Sequence, residues 1–313
     1  MKRFLLLILI MSIVTAVHAQ KSSDVTSNKK NVLNSHVFPS FSNFNSPFIT
    51  TALNINVGGG STSVITIPPI DIGGAQTPEI NGYIMLAGGD VEYEQRFTPW
   101  LSLYFNAKVL GRYGTDAFSL LYDGINLISG GDIGWRFRVL QSKKFILSTS
   151  FFVNNLSGNF INIKKFVNDI IENEPNPAII KNTPLLQAGL SATYAYALNE
   201  TWGLQGETKI SYGETFVRGT EHIIFSGSLF GDIDFYPKHH FPLGIGLGYM
   251  LSSAPELTMG SDGFYNLALF KLSYTGSPDY DLGIEYMTYK LKLGNRIDNP
   301  FISTVSLALK FYF

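Results

Sequence analysis

The side chains that could do chemistry stand mostly two residues apart: Asp90, Glu92, Glu94 and Arg96; Arg136 and Arg138; Glu207 and Lys209; Asp232 and Asp234. A carboxylate pair such as Asp232 and Asp234 has the composition of an acid–base couple. Residues i and i+2 of a strand share one face, however, so the same spacing describes the polar face of a sheet. The histidines outside the first thirty residues are His36, His222, His239 and His240. His239 and His240 fall in an expected turn and read as a solvated pair. His222 follows Thr220 and Glu221 at a loop edge, where position alone leaves a hydrolase open, yet no nucleophile motif stands beside it. Gly58-Gly59-Gly60 is followed by neither lysine nor helix and is no phosphate loop. There is no cysteine, which removes thiol catalysis, thiolate metal sites and disulfides together. No catalytic, cofactor-binding or metal-ligating residue is assigned on this basis, and no enzyme is expected.

The elements that must position these charges alternate with period two. Leu101, Leu103, Phe105, Ala107 and Val109 oppose Ser102, Tyr104, Asn106 and Lys108; Ile133, Trp135, Phe137 and Val139 oppose Gly134, Arg136 and Arg138. Trp202, Leu204, Gly206, Ile210 and Tyr212 oppose Gly203, Gln205, Glu207, Lys209 and Ser211. Phe225, Leu229, Ile233 and Phe235 oppose Ser226, Ser228, Asp232 and Asp234. Each segment has one lipid-compatible face and one ionic face, the pattern of a membrane β-barrel with a polar lumen.

About twelve such segments follow one another, each near the ~9 to 11 residues that a tilted spanning strand needs. They run over 48–57, 83–97, 101–112, 129–140, 145–154, 185–198, 201–212, 223–236, 243–251, 264–275, 281–293 and 301–313. Short connections such as Asn199-Glu200 alternate with long ones such as 58–82 and 156–184. Bacterial barrels alternate short periplasmic turns with long outer loops in this way. Helical spacing is expected over Asp116–Gly124 and over Asn162–Glu172, where Ile163, Phe166, Val167, Ile170 and Ile171 recur at three and four. In the segment 281–293 strict alternation would aim Lys290 and Lys292 at lipid, so either a bulge near Met287–Thr288 or an early exit from the hydrocarbon is expected.

Ahead of these strands the chain is expected to hold two further parts. Lys2 and Arg3, an apolar run from Phe4 to Val14, and Val17-His18-Ala19 form the three regions of a signal peptide over residues 1–19. Residues 20–46, rich in Ser, Asn and Lys, read as a flexible periplasmic arm, with a luminal plug as the alternative. The barrel itself then covers 47–313. Net charge is −1, which excludes a nucleic-acid footprint and a polybasic membrane patch.

The tail Leu307-Ala308-Leu309-Lys310-Phe311-Tyr312-Phe313 resembles the sorting signal of Gram-negative outer-membrane β-barrel proteins. The resemblance implies an all-β transmembrane barrel of about twelve antiparallel strands embedded in outer-membrane lipid. It also implies that Leu307, Leu309, Phe311 and Phe313 are read by the barrel assembly machinery. Within that frame Glu92, Glu94, Arg96, Lys108, Arg136, Arg138, Glu207, Lys209, Asp232 and Asp234 are the candidate lumen lining, either paired with one another or selecting a solute. Two functions stay open: porin-like passive passage of a small molecule, and a closed interaction barrel whose outer loops bind a partner.

Overall fold

In a computed structural model, the protein is described over residues 31–67, 69, 71–72, 75–76, 78–113, 124–161, 163–215, 222–253, 265–277, 279–290 and 300–313. The expected signal peptide, and the expected helix over 116–124 up to Gly124, lie outside these residues.

Twelve antiparallel strands close into a barrel. In chain order, with the small strands of the arm and first outer loop included, they are β1 (Val32–Leu33), β2 (His36–Val37), β3 (Ala52–Thr62), β4 (Ile65–Ile67), β5 (Asp71–Ile72), β6 (Ala75–Gln76), β7 (Ile80–Gly82), β8 (Met85–Thr98), β9 (Leu101–Tyr113), β10 (Gly124–Gln141), β11 (Phe145–Ile161), β12 (Ile180–Ala197), β13 (Trp202–Gly213), β14 (His222–Asp234), β15 (Leu243–Ser252), β16 (Tyr265–Tyr274), β17 (Tyr280–Lys290) and β18 (Phe301–Tyr312). The wall consists of β3 and β8 to β18, each pairing with its sequence neighbour, and β18 returns to β3 through partners such as Leu307↔Val57. Closure leaves no unpaired sheet edge, which hydrocarbon would not tolerate.

The expected strands are all present, with ends that differ. β10, β11 and β12 run to 18, 17 and 18 residues, beyond the ~9 to 11 needed for crossing, so their paired ends extend past the hydrocarbon on the side of the long loops. Helix α1 (Ile163–Ile171) joins β11 to β12 there, with Ile170 and Ile171 exposed. On the opposite rim the turns are short, the longest carrying α2 (Tyr236–His239).

Outward rows are apolar and exposed: Val91, Tyr93, Phe105, Val109, Ile133, Trp135, Leu204, Ile210, Leu229, Leu247, Ile284, Val305 and Leu307. Aromatic residues gather near the short-turn rim, where Phe97, Trp202, Tyr236, Phe241 and Phe313 are exposed. An apolar belt with an aromatic rim is the surface that a bilayer and its interface require. β17 keeps its register without a bulge at Met287–Thr288 and ends at Lys290, which is exposed with Nζ 5.8 Å from the Phe301 ring centroid. The bulge expected there is not formed; Lys292 lies outside the described residues. Register shifts occur instead between Arg96 and Thr98 and between Arg138 and Leu140, near short turns, and between Ile125 and Leu127, toward the long loops.

Candidate functional site in the lumen

The segment expected as a flexible periplasmic arm, with a luminal plug as the alternative, is folded inside the barrel from residue 31 onward, as the alternative has it. Phe38 is fully buried, and Phe41, Phe44 and Phe48 are buried with it. The arm makes the β1–β2 hairpin at the short-turn rim, rises along the lumen to Ser42 and Asn43, and descends to enter β3 at Ala52. The physical reason is its side chains. Four phenylalanines between 38 and 48 offer too much apolar surface to leave in water, and the wall supplies partners for the intervening polar groups.

Those partners come from six strands. Ser148 of β11 donates to the Pro47 carbonyl at 2.5 Å. On β13, Gln205 Nε2 donates to the Pro39 carbonyl at 3.0 Å, and Glu207 accepts from Asn45 Nδ2 at 2.8 Å. On β14, Asp232 Oδ1 lies 2.5 Å from His36 Nε2. Lys271 of β16 donates to the Ser40 carbonyl and, at 3.1 Å, to Glu285. On β17, Asp281 accepts from the Ser40 amide at 2.9 Å, and Glu285 accepts from both the amide and the hydroxyl of Ser42. Tyr312 of β18 meets Ser40 Oγ at 3.4 Å.

Apolar contacts complete the seating. Phe41 stacks on Phe230 with ring centroids 4.4 Å apart, and Phe38 and Phe48 pack with Ile146, Ala195 and Ala197. Two wall glycines make the close approach possible. A Cβ on Gly203 would stand 2.6 Å from the Phe38 ring, and one on Gly246 would stand 2.6 Å from the Phe41 ring. Such separations are well inside van der Waals contact, so a larger residue there would have to displace the ring it meets.

The expected lining residues do face inward, and several are consumed by pairing. Glu94 and Arg136 form a buried ion pair at 2.7 Å, with Ser102 donating to the second Glu94 oxygen at 2.5 Å and the Arg136 guanidinium 5.0 Å from the Tyr104 ring centroid. Asp90 pairs in register with Lys108, and Glu92 lies between Asp90 and Glu94 on the same inward row. Lys209 lies over the Phe152 ring at 4.2 Å. Arg138 donates to Gln141, with Arg96 as its like-charged neighbour. Asp234 is buried and accepts from the Tyr236 amide at 3.0 Å, fixing the turn after β14. Of the candidate lining, Arg136 is thus engaged by Glu94 and Asp232 by His36.

Sequence reasoning missed two features. His36 anchors the arm through its hydrogen bond with Asp232, and the spacing of Phe38, Phe41, Phe44 and Phe48 was the signal that the arm is not a tether. The inward rows are also not uniformly ionic. Toward the long loops they turn apolar, with Ile84, Leu86, Tyr289 and Ile302 packed around Ile65 of the first outer loop, and Ile128, Leu156, Phe160 and Leu185 forming a second buried cluster. The arm tip and the Ile65 cluster bracket a cavity of about 200 Å³.

No family model matches the sequence, and no curated protein matches it. Solved structures similar to the chain are membrane barrels. An outer membrane channel from Pseudomonas putida F1 has a TM-score of 0.48 at 12% identity, covering 88% of this chain and 99% of that one. LpxR from Salmonella typhimurium gives 0.49 at 10%, covering 84% and 100%. A FadL homologue from Pseudomonas aeruginosa gives 0.45 at 10%, covering 93% and 98%. The chain is a closed twelve-stranded β-barrel.

Proposed function

We propose that this protein is an outer-membrane barrel for the passive passage of a small molecule, with residues 31–51 as the closure of its periplasmic half. The observation that carries this reading is the lumen itself: a separate chain segment occupies it, held by hydrogen bonds and ring contacts to six strands, and stops beneath a cavity. A barrel needing only rigidity could fill twelve strands' width with its own inward side chains, as eight-stranded barrels do. Here the wall instead carries glycine sockets and carboxylates that fit a removable segment. Short turns on the arm's side and long loops opposite orient that side toward the periplasm.

The test is flux. Purified barrel in planar bilayers is expected to show rare, low conductance, and a variant lacking residues 32–46 is expected to show a steady open level. Absence of conductance from both, with both folded, would refute passage.

A second reading has its own support: the long β11–β12 extension with α1 presents Ile170, Ile171, Ile179 and Ile180 to solvent, as a partner-binding loop would. Removing residues 163–179 separates the two, since a closed interaction barrel would lose its partner while conductance stayed absent.

A further inference from the structure

The cavity between the arm tip and the outer cluster has a composition of its own. Its floor is Ser42 and Asn43 of the arm; its wall includes Leu86, Leu110, Ile128 and Met287, with Asn56, Tyr289, Thr304 and Ser306 among its polar members. Asp90 and Lys108 also border it and stand opposite each other in register, so neither faces an occupant as a lone charged side chain. Four glycines of β3 and β8, Gly58, Gly59, Gly88 and Gly89, also border it.

Two polar atoms here are unsatisfied. Asn56 is 4% exposed and Tyr289 5%, and neither the Asn56 Oδ1 nor the Tyr289 hydroxyl has a hydrogen-bond partner. The Asn56 side chain already bonds Asp90, which leaves its carbonyl oxygen as an acceptor only. Buried polar groups are rarely left without partners, and leaving one so costs as much as a lost hydrogen bond. A cavity of ~150 Å³ lined by apolar groups holds one benzene ring; this one is slightly larger and adds an acceptor and a donor.

We infer that this cavity is a binding site for a small uncharged amphipathic molecule, about one ring in size, whose hydroxyl or amide group pairs with the Tyr289 hydroxyl while its apolar body lies against Leu86, Leu110, Ile128 and Met287. The inference rests on the passage reading and names its substrate class. Because Ser42 and Asn43 form the floor, an occupant touches the arm tip, next to the clamp that Glu285 makes on Ser42. Binding and closure of the lumen thus share one surface.

The test uses the full barrel in detergent micelles and three probes: benzyl alcohol, toluene and benzoate. Titration calorimetry, with empty micelles subtracted, is expected to give saturable binding of benzyl alcohol and weak binding of benzoate. Tyr289→Phe removes a hydroxyl that no protein group uses; it should weaken benzyl alcohol about three- to tenfold and leave toluene unchanged. Leu86→Trp fills the cavity and should abolish saturable binding of benzyl alcohol and toluene alike. Benzoate binding as tightly as benzyl alcohol, or benzyl alcohol binding equally to wild type and Tyr289→Phe, would overturn the assignment; the latter comparison decides even if Leu86→Trp fails to fold. Flux measured in parallel separates the two claims. Conductance without variant-sensitive binding would sink the site and spare the channel, and variant-sensitive binding without conductance would do the reverse.

Discussion

His36 Nε2 lies 2.5 Å from Asp232 Oδ1, both residues buried, joining the arm to strand β14 across 196 positions of sequence. Asp232 has a second contact, Gln205 Nε2 at 3.4 Å, and Gln205 in turn holds the Pro39 carbonyl. The three side chains tie the arm's first half to two adjacent strands. His36→Ala removes the central member and leaves a buried carboxylate short of a donor, a loss of about 1.5 to 3 kcal/mol for a hydrogen bond to a charged group. On the proposed function, the open fraction in planar-bilayer records should rise roughly ten- to a hundredfold. An unchanged open fraction would show that the arm is held without this contact.

The sockets give a steric version of the same experiment. Gly246→Val places methyl groups where the Phe41 ring now sits, and Gly203→Val does so for Phe38. Neither glycine has a backbone conformation that requires glycine, since the described positive-φ glycines are Gly130 and Gly213. Each variant should therefore keep the barrel while displacing the arm, seen as faster protease cleavage within residues 36–48 of the folded protein. Cleavage at the wild-type rate would mean that the rings find another seat.

The wall was largely legible in the sequence, and the arm was not. Strand alternation is a local signal: Trp202, Leu204 and Ile210 against Gln205, Glu207 and Lys209 can be sorted without knowing any neighbour. The arm's fate depends on partners more than a hundred residues away, such as Glu207 for Asn45 and Asp281 for Ser40, and its polar serines and asparagines look the same in water as against a carboxylate. Only its phenylalanines were informative. Pairing within the charged lining was legible as one of two readings, but the partners were not, because Glu94 and Arg136 are brought together across an intervening strand by barrel register. The apolar outer half of the lumen was hidden by the same alternation that revealed the strands, since Leu110 simply continues the polar row of Ser102 to Lys108.

That ion pair makes a stability prediction independent of function. Arg136 and Glu94 are almost wholly buried, and Arg136 Nε and Nη2 have no partner beyond the pair. Glu94→Leu leaves a buried guanidinium without its counter-charge and should destabilise the barrel by about 3 to 5 kcal/mol, whereas Glu94→Leu combined with Arg136→Met should recover most of that loss. The readout is the midpoint of urea unfolding in detergent, followed by the mobility shift between folded and unfolded bands. Equal midpoints for the single and double variants would mean that solvent reaches the site.

The absence of cysteine from the chain permits a decisive clamp experiment. Ser42 hydrogen-bonds Glu285 beside the arm tip, so Ser42→Cys with Glu285→Cys can be bridged by a short bifunctional thiol reagent without competing sites. Bridged barrel is expected to stay closed, including in the His36→Ala background that otherwise opens. The unbridged double variant has lost the Glu285 carboxylate that receives the Ser42 amide and hydroxyl, and should open more often than wild type. The two states differ only in the tether, so a closed record before reaction and a closed record after it would separate the arm from the conducting path. Conductance that persists through the bridge would place passage along the wall between β8 and β10, on the side where the arm has fewest described polar contacts.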